Sequence, residues 1–310
     1  MREATAAARA AGAVAPVPDR LAPLATTGVG SLPHDDPAAA VRHALAAYDL
    51  PFCPQLPRRE GDMVHEWLGG DPAGCGWAPD RDRERPAAWD AFTAALAQKP
   101  PAHGFVKLQV TGPATLAAAL DGPGDEGLAR ELATWLAANA GGQVRRLADM
   151  GLRVVLVVDE PGLARSAIAD PAVYDPLRAT GAAVWGLHVC GPVPWPFVDA
   201  LEPGLVSFDL TRHGLDPVGR SVLGRLIDRG GRIAWGALDP VAPGGAPVAA
   251  ARLGAEIASL GQPEERVAER SLVSPGCGTG MLTEDREEGL AAALRSVAAA
   301  LRSPRFMREQ

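Results

Sequence analysis

Two side chains of metal-binding type sit two positions apart in Leu187-His188-Val189-Cys190-Gly191, an imidazole at His188 and a thiol at Cys190. Residues i and i+2 of an extended chain face the same side, so both can reach one ion. A zinc site needs three or four such donors. Asp209, closing Leu205-Val206-Ser207-Phe208-Asp209, and Cys277, in Ser274-Pro275-Gly276-Cys277-Gly278, are the candidates to complete the set. The commoner fate of either residue type alone is a hydrogen-bonded core histidine or a small buried thiol. All four candidates, however, stand where an apolar run gives way to Gly, Pro or a polar turn, and that shared position favours a common ion.

The elements that must position them are short apolar runs alternating with longer Ala/Leu/Arg segments of helical spacing, repeated about eight times from residue 25 onward. Strands are expected at residues 25–31, 50–55, 105–111, 153–159, 184–190, 204–209, 232–238 and 270–276. Helices are expected near 37–48, 125–150, 162–180, 215–230, 247–261 and 284–302, with shorter ones near 60–68 and 194–201. Runs such as Val154-Val155-Leu156-Val157-Val158 suit strands buried on both faces of a parallel sheet. Eight βα units in 310 residues predict an α/β chain forming a single-domain (β/α)8 TIM barrel over residues 21–310; pattern alone leaves an open doubly wound sheet as the alternative. Residues 69–103, with Pro72, Pro79, Pro86, Pro100 and Pro101, form an insertion after strand two that reads either as a substrate lid or as a surface excursion, with Trp67, Trp77 and Trp89 around it. Residues 1–20, Ala-rich with Pro16 and Pro18, read as a loosely ordered tail without the compact apolar core of a secretory signal.

Composition narrows the function classes. The net charge is −7, the only lysines are Lys99 and Lys107, and no basic patch with interleaved aromatics exists, so nucleic acid is not an expected partner. No run is long enough to cross a bilayer, and no membrane partner is expected. Four cysteines at irregular spacing (Cys53, Cys75, Cys190, Cys277) fit reduced thiols in a cytoplasmic protein better than a disulfide framework. Cys53 is expected in the core.

In a barrel the strand ends converge on one mouth. Besides the four donors, those ends carry Gly28-Val29-Gly30-Ser31, Thr111-Gly112-Pro113, Asp159-Glu160-Pro161 and Asp239. Asp159-Glu160 could serve a helix dipole, but its place at the end of an all-aliphatic strand favours substrate contact. Asp239, before Pro240, is either a loop cap or a site residue. His34 is expected on an exposed loop, and His43, His65, His103 and His213 have no supporting pattern.

These residues together resemble the catalytic barrel of cobalamin-independent methionine synthase and its shorter single-barrel relatives, within the superfamily shared with uroporphyrinogen decarboxylase. Thr26-Thr27-Gly28-Val29-Gly30-Ser31-Leu32-Pro33 is similar to the family's opening motif, Asp62-Met63-Val64 to the start of its second helix, and Leu108-Gln109-Val110-Thr111-Gly112-Pro113 to its third-strand motif. Asp159-Glu160-Pro161, His188-x-Cys190, Asp209-Leu210-Thr211-Arg212 and Pro275-Gly276-Cys277-Gly278 follow in the family's order. The resemblance implies a methyltransferase that binds Zn2+ through His188, Cys190, Asp209 and Cys277, with Asp209 where the family usually has Glu. It implies that Gly30 and Ser31 contact the amino-acid part of homocysteine, and that Asp159, with Glu160 beside it, meets the ammonium. The implied reaction is transfer of a methyl group to the homocysteine thiol, giving methionine, with methylfolate or a methyl-corrinoid as donor.

The sequence departs from the family at three places. The family's ammonium-binding glutamate has no direct counterpart in Pro54-Gln55-Leu56-Pro57-Arg58, where Gln55 or Glu60 are the nearest substitutes; its proton-donating histidine aligns with Val241; and Arg165 stands where a glutamate contacts folate. Nothing in the chain matches the amino-terminal half of the full-length enzymes. The alternatives are a uroporphyrinogen-decarboxylase-like enzyme, which needs no zinc, and a non-catalytic barrel binding zinc or a corrinoid partner.

Overall fold

A computed structural model of the chain describes residues 21–69 and 86–303. Seven strands form one parallel sheet: β1 (Ala25–Thr26), β2 (Phe105–Thr111), β3 (Arg153–Asp159), β4 (Val184–Val189), β5 (Leu205–Asp209), β6 (Arg232–Leu238) and β7 (Ser271–Pro275). Their spatial order is β1-β7-β6-β5-β4-β3-β2, so each strand from β2 to β6 pairs with its successor in sequence and β1 pairs with β7. Between them run α1 (Pro37–Ala47), α2 (Pro57–Glu60), α3 (Met63–Leu68), α4 (Trp89–Gln98), α5 (Pro113–Ala119), α6 (Glu126–Asp149), α7 (Asp175–Arg178), α8 (Trp195–Leu201), α9 (Leu210–His213), α10 (Pro217–Asp228), α11 (Ala246–Ser259), α12 (Glu264–Glu269) and α13 (Glu284–Arg302). No helix among the described residues is long and apolar enough to cross a membrane.

The expected strand over 50–55 does not form a ladder. It makes two isolated parallel bridges instead, Ser31 with Gln55 and Phe52 with Lys107. Backbone bonds tie it to both sides: Leu50 N and Gln55 N donate to Thr26 O and Gly30 O, and Cys53 N donates to Lys107 O. Pro51 and Pro54 explain the irregularity, because each lacks the N–H that a regular ladder needs. The sheet is thus curled, with this segment lying between its two edges. The run expected at 25–31 likewise pairs only over Ala25–Thr26.

The helix expected over 162–180 is also corrected. Its place is taken by 3-10 turns at Leu163–Arg165 and Pro171–Tyr174 and by the four-residue α7. Pro171 and Pro176 have no N–H to continue a preceding helix, so each can only begin a new turn. Gly61, at φ 79°, separates α2 from α3 where one short helix was expected.

Period-two alternation sorts the strands' side chains. Val154, Leu156 and Val158 join the large outer core beneath the helices, while Val155 and Val157 join a smaller inner cluster with Ala25, Leu50, Phe105, Leu205, Ala234 and Leu272. Two or four residues further along each strand the same inner face turns polar, presenting Lys107, Gln109, Asp159, His188, Ser207 and Ser274. The curled sheet therefore has an apolar floor and a polar upper layer. Trp67 is buried against Trp135 with ring centroids 5.8 Å apart, and Trp89 is buried in the outer core, so both are packing residues. Trp77 and Cys75 of the expected lid, and the tail over residues 1–20, lie outside the described residues.

Candidate active site

The C-terminal strand ends surround a cavity of about 260 Å3. Ser31, Asp159, His188, Cys190 and Cys277 all line it, which brings together residues from β3, β4 and the segments following β1, β4 and β7. His188 is buried on β4, and its Nδ1 lies 2.8 Å from Ser207 Oγ on the neighbouring strand β5. That contact sets the ring so that Nε2 is the free nitrogen. Nε2 is buried and makes no hydrogen bond of good geometry, although the ring is near enough to Cys277 to favour its thiolate.

Cys190 and Cys277 are free and half-buried, and their sulfurs share a hydrogen bond. The bond from Cys190 pulls the Cys277 thiol well below its ordinary range, against the effect of burial. The same bond, with burial, pushes Cys190 up. Among the described residues no group of three or more His, Cys, Asp or Glu side chains is already spaced to hold a metal ion. The donors are neighbours without forming a finished cage. Their chemistry fits zinc, which takes imidazole nitrogen and thiolate sulfur, and the orphaned Nε2 is the atom such an ion would engage.

Asp159 is buried at the cavity wall, and its Oδ1 has no hydrogen-bond partner. Burial raises its pKa to about 6, although His188 and Lys107 pull it down. Lys107 lies on the inner face of β2, where burial lowers its pKa to about 8, Asp159 opposing. Its Nζ donates to Val29 O and, at 3.2 Å, to Gln109 Oε1. This buried cation supplies positive charge beneath a cavity that Glu60, Asp62, Glu66 and Asp159 otherwise make acidic.

Other expected residues lie elsewhere. Glu160 points away from the cavity, fully buried, and accepts hydrogen bonds from Ala114 N, Thr115 N, Thr115 Oγ1 and Tyr174 OH. Gly112 makes room for it, since a Cβ there would sit 2.1 Å from Glu160 Cδ. Gly30 is buried behind Ser31, its backbone pressed against Gln55 and Gln109, where a Cβ would approach both to 2.8 Å. Asp209 caps α9, its Oδ1 accepting from Thr211 N at 2.8 Å and Arg212 N at 3.1 Å, while its buried Oδ2 makes no hydrogen bond and faces Arg212 Nε at 3.8 Å. Asp239 accepts from Val241 N and from two nitrogens of Arg212, so it serves as a loop cap and ion-pair partner. His34 is not exposed: its Nε2 lies 4.0 Å from Glu284 Oε2 at the start of α13, and its ring lies 5.2 Å from that of His43.

Lys107, Ser207 and Glu66 are site residues that sequence reasoning missed. The available signal was a lysine and a serine at inner-face positions of otherwise aliphatic strands, since a polar residue there must face either a cavity or a partner. Glu66 has no such signal; it enters the cavity through α3, where it accepts a hydrogen bond from Gln55 Nε2. Gln55 and Glu60 both reach the cavity, and Glu60 Oε2 is buried without a partner while Oε1 accepts from Ala87 N.

The fold is shared with solved structures. The chain is similar to a B12-independent methionine synthase from Shewanella sp. W3-18-1 in complex with selenomethionine, with a TM-score of 0.63 and 17% identity over 91% of this chain and 98% of that one. It is also similar to a methyltransferase from Methanosarcina mazei, with a TM-score of 0.52 and 15% identity over 90% of this chain and 94% of the other. The likeness is one of fold. No protein-family model matches the chain, and no curated protein matches its sequence.

Proposed function

We propose that this protein is a zinc-dependent methyltransferase that moves a methyl group onto a thiol, with homocysteine as acceptor and methionine as product. The observation that carries the reading is the meeting of His188, Cys190 and Cys277, distant in sequence, at one cavity beside a buried carboxylate with an unpaired oxygen. Both structural neighbours are methyltransferases or methionine synthases by description, which supports the same reading. We also propose that residues 21–310 form one closed (β/α)8 domain, supported by the bonds that the 50–55 segment makes to each edge of the sheet.

His188, Cys190 and Cys277 would hold the ion, and Asp209 would join them through Oδ2 by giving up its ion pair with Arg212. Zinc bound there supplies the means to lower a substrate thiol's pKa into the neutral range. The chain's own residues do the rest. Asp159 is ionised above about pH 6 and offers its unpaired Oδ1 to an ammonium, with Ser31 lining the same cavity. Glu60, through its own unpaired Oε2, fits the second carboxylate of an ammonium site. Attack of the acceptor sulfur forms a sulfur–carbon bond as the donor–methyl bond breaks, and the donor leaves with that electron pair. A methyl-corrinoid meets this requirement directly, because its cobalt keeps the electron pair, whereas methylfolate also needs a proton delivered to its leaving nitrogen, which Val241 cannot supply. The free cysteines suit a reducing compartment such as the cytoplasm.

The test is metal analysis together with a methyl-transfer assay. Wild type should carry about one zinc per chain and Cys277→Ser should lose it, because ligand loss removes binding free energy directly. Homocysteine-dependent methionine formation should follow with one of the two donors. Retention of metal by Cys277→Ser overturns the ligand set, and zinc binding without transfer from any donor overturns the activity.

A further inference from the structure

We infer that His213 is a positioning residue for the Cys190 sulfur, acting through the Cys190 backbone from a short helix that Asp209 starts. The inference rests on the reading of His188, Cys190 and Cys277 as zinc donors.

Cys190 is the first residue beyond the β4–β5 ladder, which ends at the Val189–Phe208 pair. The sheet no longer fixes it there. On its far side Gly191 is pressed against the neighbouring loop, where a Cβ would lie 2.7 Å from Pro161 O. The Cys190 carbonyl is tied instead by His213, whose Nε2 lies 3.1 Å away. A carbonyl only accepts, so Nε2 carries the hydrogen.

His213 is the last residue of α9, and a helix of four residues has no rigidity of its own. Three attachments give it a fixed place. Asp209 Oδ1 accepts from Thr211 N, Thr211 Oγ1 and Arg212 N at its start. Leu210 is buried beneath it. Arg212 donates from two nitrogens to Asp239, just past the end of β6, at 2.9 and 3.2 Å. The helix is therefore fastened between the ends of β5 and β6, and its last side chain reaches back to the end of the neighbouring strand β4. Asp209 and His213 thus form a bracket that sets where the Cys190 thiol stands relative to Cys277. Sequence separates the bracket's two ends, His213 and Cys190, by 23 residues, and no local pattern connects them.

The experiment compares wild type, His213→Ala and His213→Gln, the last of which keeps an N–H donor at similar reach. In metal-free protein, iodoacetamide labelling of Cys190, read by peptide mass spectrometry, should rise several-fold in His213→Ala, and Cys277 labelling should fall as its contact with the Cys190 sulfur is lost. In cobalt-substituted protein, His213→Ala should change the sulfur-to-cobalt charge-transfer absorption and bind metal about tenfold more weakly in chelator competition, the lower end of the effect known for outer-shell partners. His213→Gln should restore both. Unchanged Cys190 labelling together with a wild-type cobalt spectrum overturns the inference. Failure of wild type to bind any metal overturns the zinc reading instead, and the labelling rates still decide whether His213 positions Cys190.

Discussion

Asp159 and Glu160 are adjacent carboxylates, both buried, and the structure uses them in opposite ways. Asp159 faces inward with an unpaired oxygen, and burial raises its pKa to about 6. Glu160 faces outward into the layer beneath α5 and the 3-10 turn at Pro171–Tyr174, where four donors surround it. Burial raises its pKa too, but the bonds from Thr115, Tyr174 and the backbone oppose that shift. The difference comes from strand alternation, which sends successive side chains to opposite faces. It teaches that burial alone does not mark a site residue: the satisfied carboxylate holds segments of the fold together, while the unsatisfied one lines a cavity with an oxygen that no protein group engages.

This contrast can be broken by mutation. The largest effect is expected for Glu160→Ala, which strands two buried donors and two partly buried ones at roughly 1–3 kcal/mol each in the worst case and should cost at least about 3 kcal/mol in urea unfolding. Zinc content in whatever fraction stays folded should be unchanged, and a stability loss below about 1 kcal/mol would abolish the distinction. Asp159→Asn should act with the opposite sign. A folded pKa of about 6 lies above the unfolded value, so the stability that Asp159 contributes is fully present below about pH 4 and is lost as pH rises through 6. The asparagine variant should therefore equal or exceed wild type by up to about 3 kcal/mol at pH 7.5 and show no gain at pH 4, while losing thiol methylation. Destabilisation at pH 7.5 would show that Asp159 is structural after all.

Smaller effects sharpen the picture. Tyr174→Phe removes one of the four bonds to Glu160 and should cost about 1 kcal/mol, measurable as a lower urea midpoint at an unchanged slope. Ser207→Ala frees the His188 ring. It should leave stability within about 1 kcal/mol of wild type yet weaken zinc binding about tenfold in chelator competition. Equal zinc affinity in Ser207→Ala would mean that packing, and not the hydroxyl, sets the imidazole.

Much of the sheet was legible because its strands are apolar on both faces. Phe105–Thr111, Arg153–Asp159 and Arg232–Leu238 coincide with the ranges that aliphatic runs predict. The segment at 50–55 was less so. Its hydrophobicity reads as a strand, while Pro51 and Pro54 deny it a ladder, and only the neighbouring backbones show how it is held. Helices read well where periodicity was long, as in α6 and α13, and poorly where prolines divided the chain between β3 and β4.

The sequence by itself determined which residue types stand at the ends of apolar runs, since strand length and hydrophobic alternation are local properties. It thereby carried His188, Cys190, Cys277 and Asp159 to one rim. Only the tertiary structure decided that Glu160 turns outward to Tyr174, that Asp209 starts a helix whose end touches Cys190, and that Lys107 lies beneath the cavity. Those outcomes depend on contacts between segments far apart in the chain, where curvature of the sheet and the packing of neighbouring loops choose the partner.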